Sequence, residues 1–262
     1  MQDGNFRVDV LSGVSGGGIT QFAADVLARL VARDGEVARV LREPLVLALM
    51  AAVRTSNLNV LGSLKPDLKR ARVSPEVFAE CYIPEVARRL GLEWEYDTAS
   101  FAEVTMGVAR LQAILREMGG CWAADGYADA LSGTMLLILP AQEQHTLGAM
   151  VVAGWLRRRG ISVCLRIAPT EAELGALLAG HRFDGAMISV AANERLEVCA
   201  KLVKTLKNKT NGGLQVAVGG AVLERYEDVA TVTGADIVTN DLSAVVQAFG
   251  LTVKRTLMAV TT

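Results

Sequence analysis

The feature that most constrains this chain is a change of hydrophobic pattern at Ser132-Gly133. Beyond it come five short apolar runs: Met135 to Leu139, Ile161 to Ile167, Ala186 to Val190, Leu214 to Val218 and Asp236 to Val238. Each is followed by helix-like sequence, most clearly Thr146 to Arg159, stopped at Gly160, and Thr170 to Ala179. A strand that is apolar at successive rather than alternate positions is buried on both faces, and the intervening helices supply the cover. The expectation is an α/β fold: a five-stranded parallel sheet, doubly wound in flavodoxin-like order, preceded by a helical bundle. Ligands of such sheets bind beyond the carboxyl ends of the strands.

The bundle is read from the first half. From about residue 21 to 130 the period is helical, with Val26, Leu27, Leu30 and Val31 at helical spacing. Ser74 and Pro75 form a start signal for a helix expected to run through Leu90 and stop at Gly91, with Pro84 kinking or dividing it. Ser100 caps a further helix, whose Val104, Val108, Leu111 and Leu115 share a face before Gly119-Gly120 is expected to end it. The organisation expected is a flexible leader over 1–20, a bundle over 21–131 and the sheet domain over 132–262.

Composition narrows the function. With 51% hydrophobic and 21% charged residues, the 262-residue chain can bury a core. A formal net charge of −1 provides no general field for nucleic acid or an anionic membrane, and neither a helix-turn-helix nor a basic stripe precedes the bundle. Four widely spaced cysteines, Cys81, Cys121, Cys164 and Cys199, argue against a zinc site or a disulfide framework and for a reducing compartment. No signal peptide or bilayer-length apolar segment is legible, so a cytoplasmic location is expected.

Chemistry is sought at the strand ends. The first strand runs into Pro140-Ala141-Gln142-Glu143-Gln144-His145-Thr146-Leu147-Gly148, which places His145 at the ligand crevice and lets the next helix approach closely at Gly148. The third strand reaches Ser189 and the fourth reaches Gly219-Gly220, where absent side chains are expected to open a slot.

This constellation resembles the cobalamin-binding fold, whose pattern is Asp-x-His-x-x-Gly, then Ser-x-Leu, then Gly-Gly. Here it stands as Glu143-x-His145-x-x-Gly148, Ser189-Val190-Ala191 and Gly219-Gly220. The resemblance implies that His145 is the lower cobalt ligand, and so the metal ligand, oriented through its other nitrogen by Glu143. It also implies that the displaced nucleotide tail threads beside Ser189 and the glycine pair. Glu143 is one methylene longer than the family's Asp. Ala191 replaces Leu, which loosens the packing around the tail.

The helical half adds to the likeness. The stretch Tyr82 to Trp94, continuing from Ser100 to Thr105, is similar to the bundle that caps the upper face of cobalamin. Light-sensing members with an adenosyl ligand carry a Trp followed on the next helix by Glu-His; here Trp94 is followed by Val104 and Thr105. That substitution implies a preference for the hydroxo or aquo form of cobalamin. From about residue 70 to 250 the chain resembles the AerR/PpaA regulators of photosynthesis genes in purple bacteria. The resemblance implies a light- or redox-responsive antirepressor acting by contact with a separate DNA-binding repressor, not an enzyme. Two alternatives share the domain: a corrinoid carrier protein of a methyltransferase system, and a haem sensor using His145.

Other signals are set aside. Gly13-Val14-Ser15-Gly16-Gly17 spells a nucleophile elbow but lies in the Gly-rich leader, away from any strand. Arg157-Arg158-Arg159 ends a helix, where cations complement the dipole. Lys201, Lys204, Lys207 and Lys209 read as a solvated edge, and His181 as a surface loop residue.

Overall fold

A computed structural model describes residues 41–55, 59–122, 133–143, 146–224 and 226–251. The expected leader and the Val26–Val31 segment lie outside the described residues.

The bundle is built from α1 (Glu43–Arg54), α2 (Val60–Arg70), the single turn α3 (Pro75–Val77), α4 (Ile83–Glu95) and α5 (Phe101–Trp122). Ser74 caps α3 as its sequence suggests, its hydroxyl accepting from the Val77 N–H at 3.3 Å. Between α3 and α4 the chain widens into a π-helical segment, Phe78–Tyr82. Pro84 follows directly at the start of α4. It lacks the N–H that would close an ordinary helical turn onto Glu80, so the division expected at Pro84 appears as a widened turn rather than a break.

Two expected stops are corrected. Gly91 is buried inside α4, which runs on to Glu95. The turn comes at Asp97, whose φ of 54° is left-handed, and Asp tolerates that region better than most residues. Likewise α5 passes through Gly119-Gly120 to Trp122. Glycine lowers helix propensity by only about 1 kcal/mol, and neighbouring packing outweighs that. Ser100 and Glu103 form a reciprocal cap at the start of α5. The Ser100 hydroxyl, then its N–H, hold the Glu103 carboxyl below its ordinary range. A depressed carboxyl stabilises the cap above its unfolded value, and that support is lost as the pH falls through the folded one. Where α4 and α5 cross, Gly107 admits Leu90; a Cβ there would come within 2.8 Å of a Leu90 methyl.

The sheet is parallel, in the order β2-β1-β3-β4-β5, with β1 Gly133–Leu139, β2 Ile161–Ile167, β3 Gly185–Ser189, β4 Val216–Gly219 and β5 Ile237–Val238. This is the flavodoxin-like order, and each strand starts within two residues of its expected place. Its helices are α6 (Thr146–Arg158), α7 (Glu171–Gly180), α8 (Leu196–Lys209), α9 (Val229–Thr233) and α10 (Leu242–Ala248). Alternate residues of β1 enter different cores. Met135, Leu137 and Leu139 join α6, α10 and the bundle, whereas Leu136 and Ile138 join α7, α8 and α9.

Helix α6 lies between sheet and bundle, with Leu147, Gly148, Ala149, Val151 to Trp155 and Leu156 all buried. The arginines at its end find specific partners. Arg157 donates to the Val163 carbonyl at 3.2 Å, and Arg159 stacks 3.7 Å above the Trp155 ring. Arg158 reaches across to pair with Glu80 of the π segment, the two side chains being 14% and 13% exposed. Of the lysines expected at a solvated edge, Lys207 instead binds Asp236 at 2.7 Å, and Lys201 pairs with Glu197 at 2.8 Å. His181 is exposed at the end of α7.

The Arg158–Glu80 pair sits where removing one charge strands the other. Glu80→Gln is expected to lower unfolding stability by about 3 kcal/mol, whereas replacing both residues with Met should cost far less. Urea unfolding of the three proteins measures the difference.

Candidate functional site

The carboxyl ends of the strands bring Glu143, Ser189, Ala191, Gly219 and Gly220 to one edge of the sheet. The order places the topological switch between β1 and β3, where doubly wound folds open a crevice. Glu143 spans that switch point. It is 7% exposed, and its Oε2 accepts from the Ala191 N–H at 2.9 Å, tying the loop after β1 to the loop after β3. Beside it Gln142, held at a left-handed φ of 64°, accepts from Arg195 at 2.7 Å. Ser189 is buried at the end of β3, in register with Gly219. Gly148 is buried in the first turn of α6. His145 lies outside the described residues.

The glycine pair is packed differently from the slot expected of it. Gly220 has a φ of 134°, and a Cβ there would overlap the Val190 carbonyl oxygen. A Cβ on Gly219 would come to 2.9 Å from the Thr239 carbonyl oxygen and 3.2 Å from Asn240 Oδ1. The absent side chains thus admit the neighbouring loops. Asn240, buried, fixes this arrangement: its Oδ1 accepts from the Gly220 N–H at 2.7 Å and its Nδ2 donates to the Gly220 carbonyl at 3.3 Å.

In the bundle, Trp94 is half-buried and packs against Phe101, ring centroids 6.0 Å apart at 59°. The two rings border a shallow depression of about 380 Å³ with Asp97, Thr98, Ala99 and Ser100. Thr105 is exposed one turn after Phe101, but Val104 belongs to the bundle core. The pair expected at an upper face is therefore split, because adjacent helical positions point about 100° apart. Phe101, 61% exposed, shares Thr105's face instead. Further along the same helix, Gln112 Nε2 donates to Thr146 Oγ1 at 2.9 Å. Thr146 opens α6 at the sheet's ligand edge, so α5 reaches that edge directly.

Sequence reasoning missed Asn240, Phe101 and Gln112. Asn240 has a legible signal, a polar triplet Thr239-Asn240-Asp241 directly after the last apolar run. Phe101, Thr105, Val108 and Gln112 share a helical period, which could have marked them as one face.

No family model matches the chain. An uncharacterized 20.5 kDa protein of the bchF–crtJ intergenic region in Rhodobacter capsulatus is 46% identical over 185 residues, which cover 71% of this chain and 96% of that protein. The chain belongs to that family. Among solved structures, the Methanosarcina barkeri monomethylamine corrinoid protein superposes with a TM-score of 0.60 at 14% identity, over 76% of this chain and 94% of its own. A cobalamin-binding protein from Desulfitobacterium hafniense overlaps more loosely, at a TM-score of 0.39 and 13% identity, and carries no weight. At 14% identity the corrinoid protein establishes a common fold for this member of the bchF–crtJ family.

The family member's site suits cobalamin in its chemistry. A buried carboxylate stands at the switch point, and two aromatic rings border an open depression on the bundle. Among the described residues no three His, Cys, Asp or Glu side chains converge on a metal. Cys199 is buried and its thiol is pushed up to about 12, leaving it protonated and unsuited to bind metal. Space for a nucleotide tail beside Gly220 would require Val190 and Asn240 to move.

Gly220 is the tighter of the two glycines. Gly220→Ala is expected to destabilise by about 3 kcal/mol or more, and Gly219→Ala by clearly less. Denaturant midpoints for the two variants test that order; equal midpoints would mean that Val190 yields freely.

Proposed function

We propose that this chain binds cobalamin and acts as a light- or redox-responsive antirepressor, controlling a DNA-binding repressor by protein contact. One observation carries the reading: a bundle helix, α5, touches the sheet edge at which Glu143, Ser189, Ala191 and the glycine pair gather. The shared fold with a corrinoid protein and the relative's place in a photosynthesis gene region support it.

When bound, cobalamin would supply a cobalt centre with exchangeable ligands, and light, by breaking the cobalt–carbon bond of alkyl forms, would convert them into the hydroxo or aquo form that this site favours. The chain's part is to bind and orient. His145 would ligate the cobalt. Glu143 sits two residues before it, anchored at the Ala191 N–H, and fixes the loop that presents the imidazole. Trp94, Phe101 and Thr105 would line the face of the site that the bundle covers. Thr105 offers one hydroxyl where adenosyl-binding relatives have two larger polar groups, so the hydroxo or aquo form is favoured. Rearrangement of the bundle over that face is the output, and it requires different ligand affinity in the two states.

A corrinoid carrier is the second reading, favoured by the likeness to the monomethylamine corrinoid protein. Methyl transfer to the bound cofactor beside a methyltransferase would support it; light-dependent binding to a repressor supports the regulator.

Dark titration of apoprotein with hydroxocobalamin and with adenosylcobalamin tests the proposal. The hydroxo form should bind several-fold more tightly, since each lost buried hydrogen bond costs on the order of 1 kcal/mol. His145→Ala should abolish retention or weaken it at least about tenfold and shift the bound spectrum. Unchanged affinity and spectrum in the variant would refute His145 as ligand. A haem-binding apoprotein indifferent to cobalamin would replace the cofactor.

A further inference from the structure

We infer that Gln112 is a positioning residue for the proposed cofactor site, coupling bundle helix α5 to the N-terminal end of α6. The inference rests on the cobalamin reading and deepens it, since it names how the cap and the ligand edge move together.

Among the described residues, two polar side-chain contacts reach from the bundle to α6, one near each end. At the far end is the Arg158–Glu80 ion pair, charged and mostly buried. At the ligand end is the neutral Gln112–Thr146 hydrogen bond, 2.9 Å long and partly buried. The 13 residues of α6 separate these anchors by roughly 18 Å, at about 1.5 Å of rise per residue. Charged pairs at the far end resist separation, whereas a single neutral hydrogen bond near the edge exchanges readily.

Gln112, half-buried, also lies in line with the exposed Phe101 and Thr105 of α5. Eleven residues separate it from Phe101, close to three helical turns, so the two side chains lie nearly in line with Thr105 and Val108 between them. A group seated against Phe101 and Thr105 therefore pushes on the same face that holds Thr146. Solvent could satisfy a helical glutamine there. Instead, its amide engages the first residue of α6, the helix that follows the loop proposed to ligate cobalt. Displacing α5 then pulls on the start of α6, and loosening that start releases α5.

A double-mutant cycle on the full chain tests this, using Gln112→Leu, near-isosteric Thr146→Val, and both together. Three quantities are read: hydroxocobalamin affinity, the absorbance spectrum of the bound cofactor, and the urea midpoint of the cofactor-free protein. Each single change should weaken affinity about five- to tenfold and move the spectrum, with the double variant no weaker than the worse single one. Gln112→Glu, which keeps an acceptor for the Thr146 hydroxyl, should restore part of the loss. Additive losses in the double variant, or unchanged affinity and spectrum, would overturn the inference. So would coupling confined to the urea midpoint, which would make the contact purely structural. Failure of the unaltered protein to bind hydroxocobalamin would overturn the cobalamin reading and this inference with it.

Discussion

Everything in this molecule depends on α6 being buried on all sides. A helix that merely covers a sheet needs one apolar stripe, but α6 is apolar nearly all round because it must satisfy two surfaces. Met135, Leu137 and Leu139 press on it from the sheet, and the bundle presses from the other side within the same core. With no polar face to spare, α6 makes its directional contacts at its ends. Thr146 and Arg158 perform that task, so the relative placement of bundle and sheet is specified at two points instead of by apolar packing alone.

The ligand edge follows a different rule. There the chain concentrates buried polar groups, Glu143, Ser189, Asn240 and Asp241, at the ends of β1, β3 and β5. Apolar packing is non-directional, whereas these groups join loop to loop by specific hydrogen bonds. Glu143 links the first loop to the third strand's exit, and Asn240 acts on Gly220 much as an extra strand would. The edge is held closed by a few replaceable bonds over a rigid sheet. That combination lets the loops adjust without unfolding their scaffold.

The sheet was highly legible in the sequence, because strands buried on both faces appear as unbroken apolar runs whose spacing limits the topology. Helix ends were less so. Gly91 and Gly119-Gly120 look like stops, yet tertiary packing outweighs their modest propensity cost, and the real stop at Asp97 had no strong local signal. The site was legible in part. Strand-end placement found Glu143, Ser189 and the glycine pair, but not that Val190 and Asn240 occupy the space around those glycines, since such contacts join residues 20 or more positions apart. Treating Val104 and Thr105 as one unit ignored the helical rotation that sends Val104 into the core.

The π-helical segment at Phe78–Tyr82 has a consequence for descent. A widened turn holds about one residue more than an α-turn, so it absorbs an insertion without rotating the helix beyond it. The Ser74 cap stays in phase with the first turn, while Val86, Ala87 and Leu90 still meet the bundle core. A homologue without that extra residue would align along both halves of the helix, with a single gap in its middle. Glu80, inside the widened turn, would then be the position whose partner on α6 is in question.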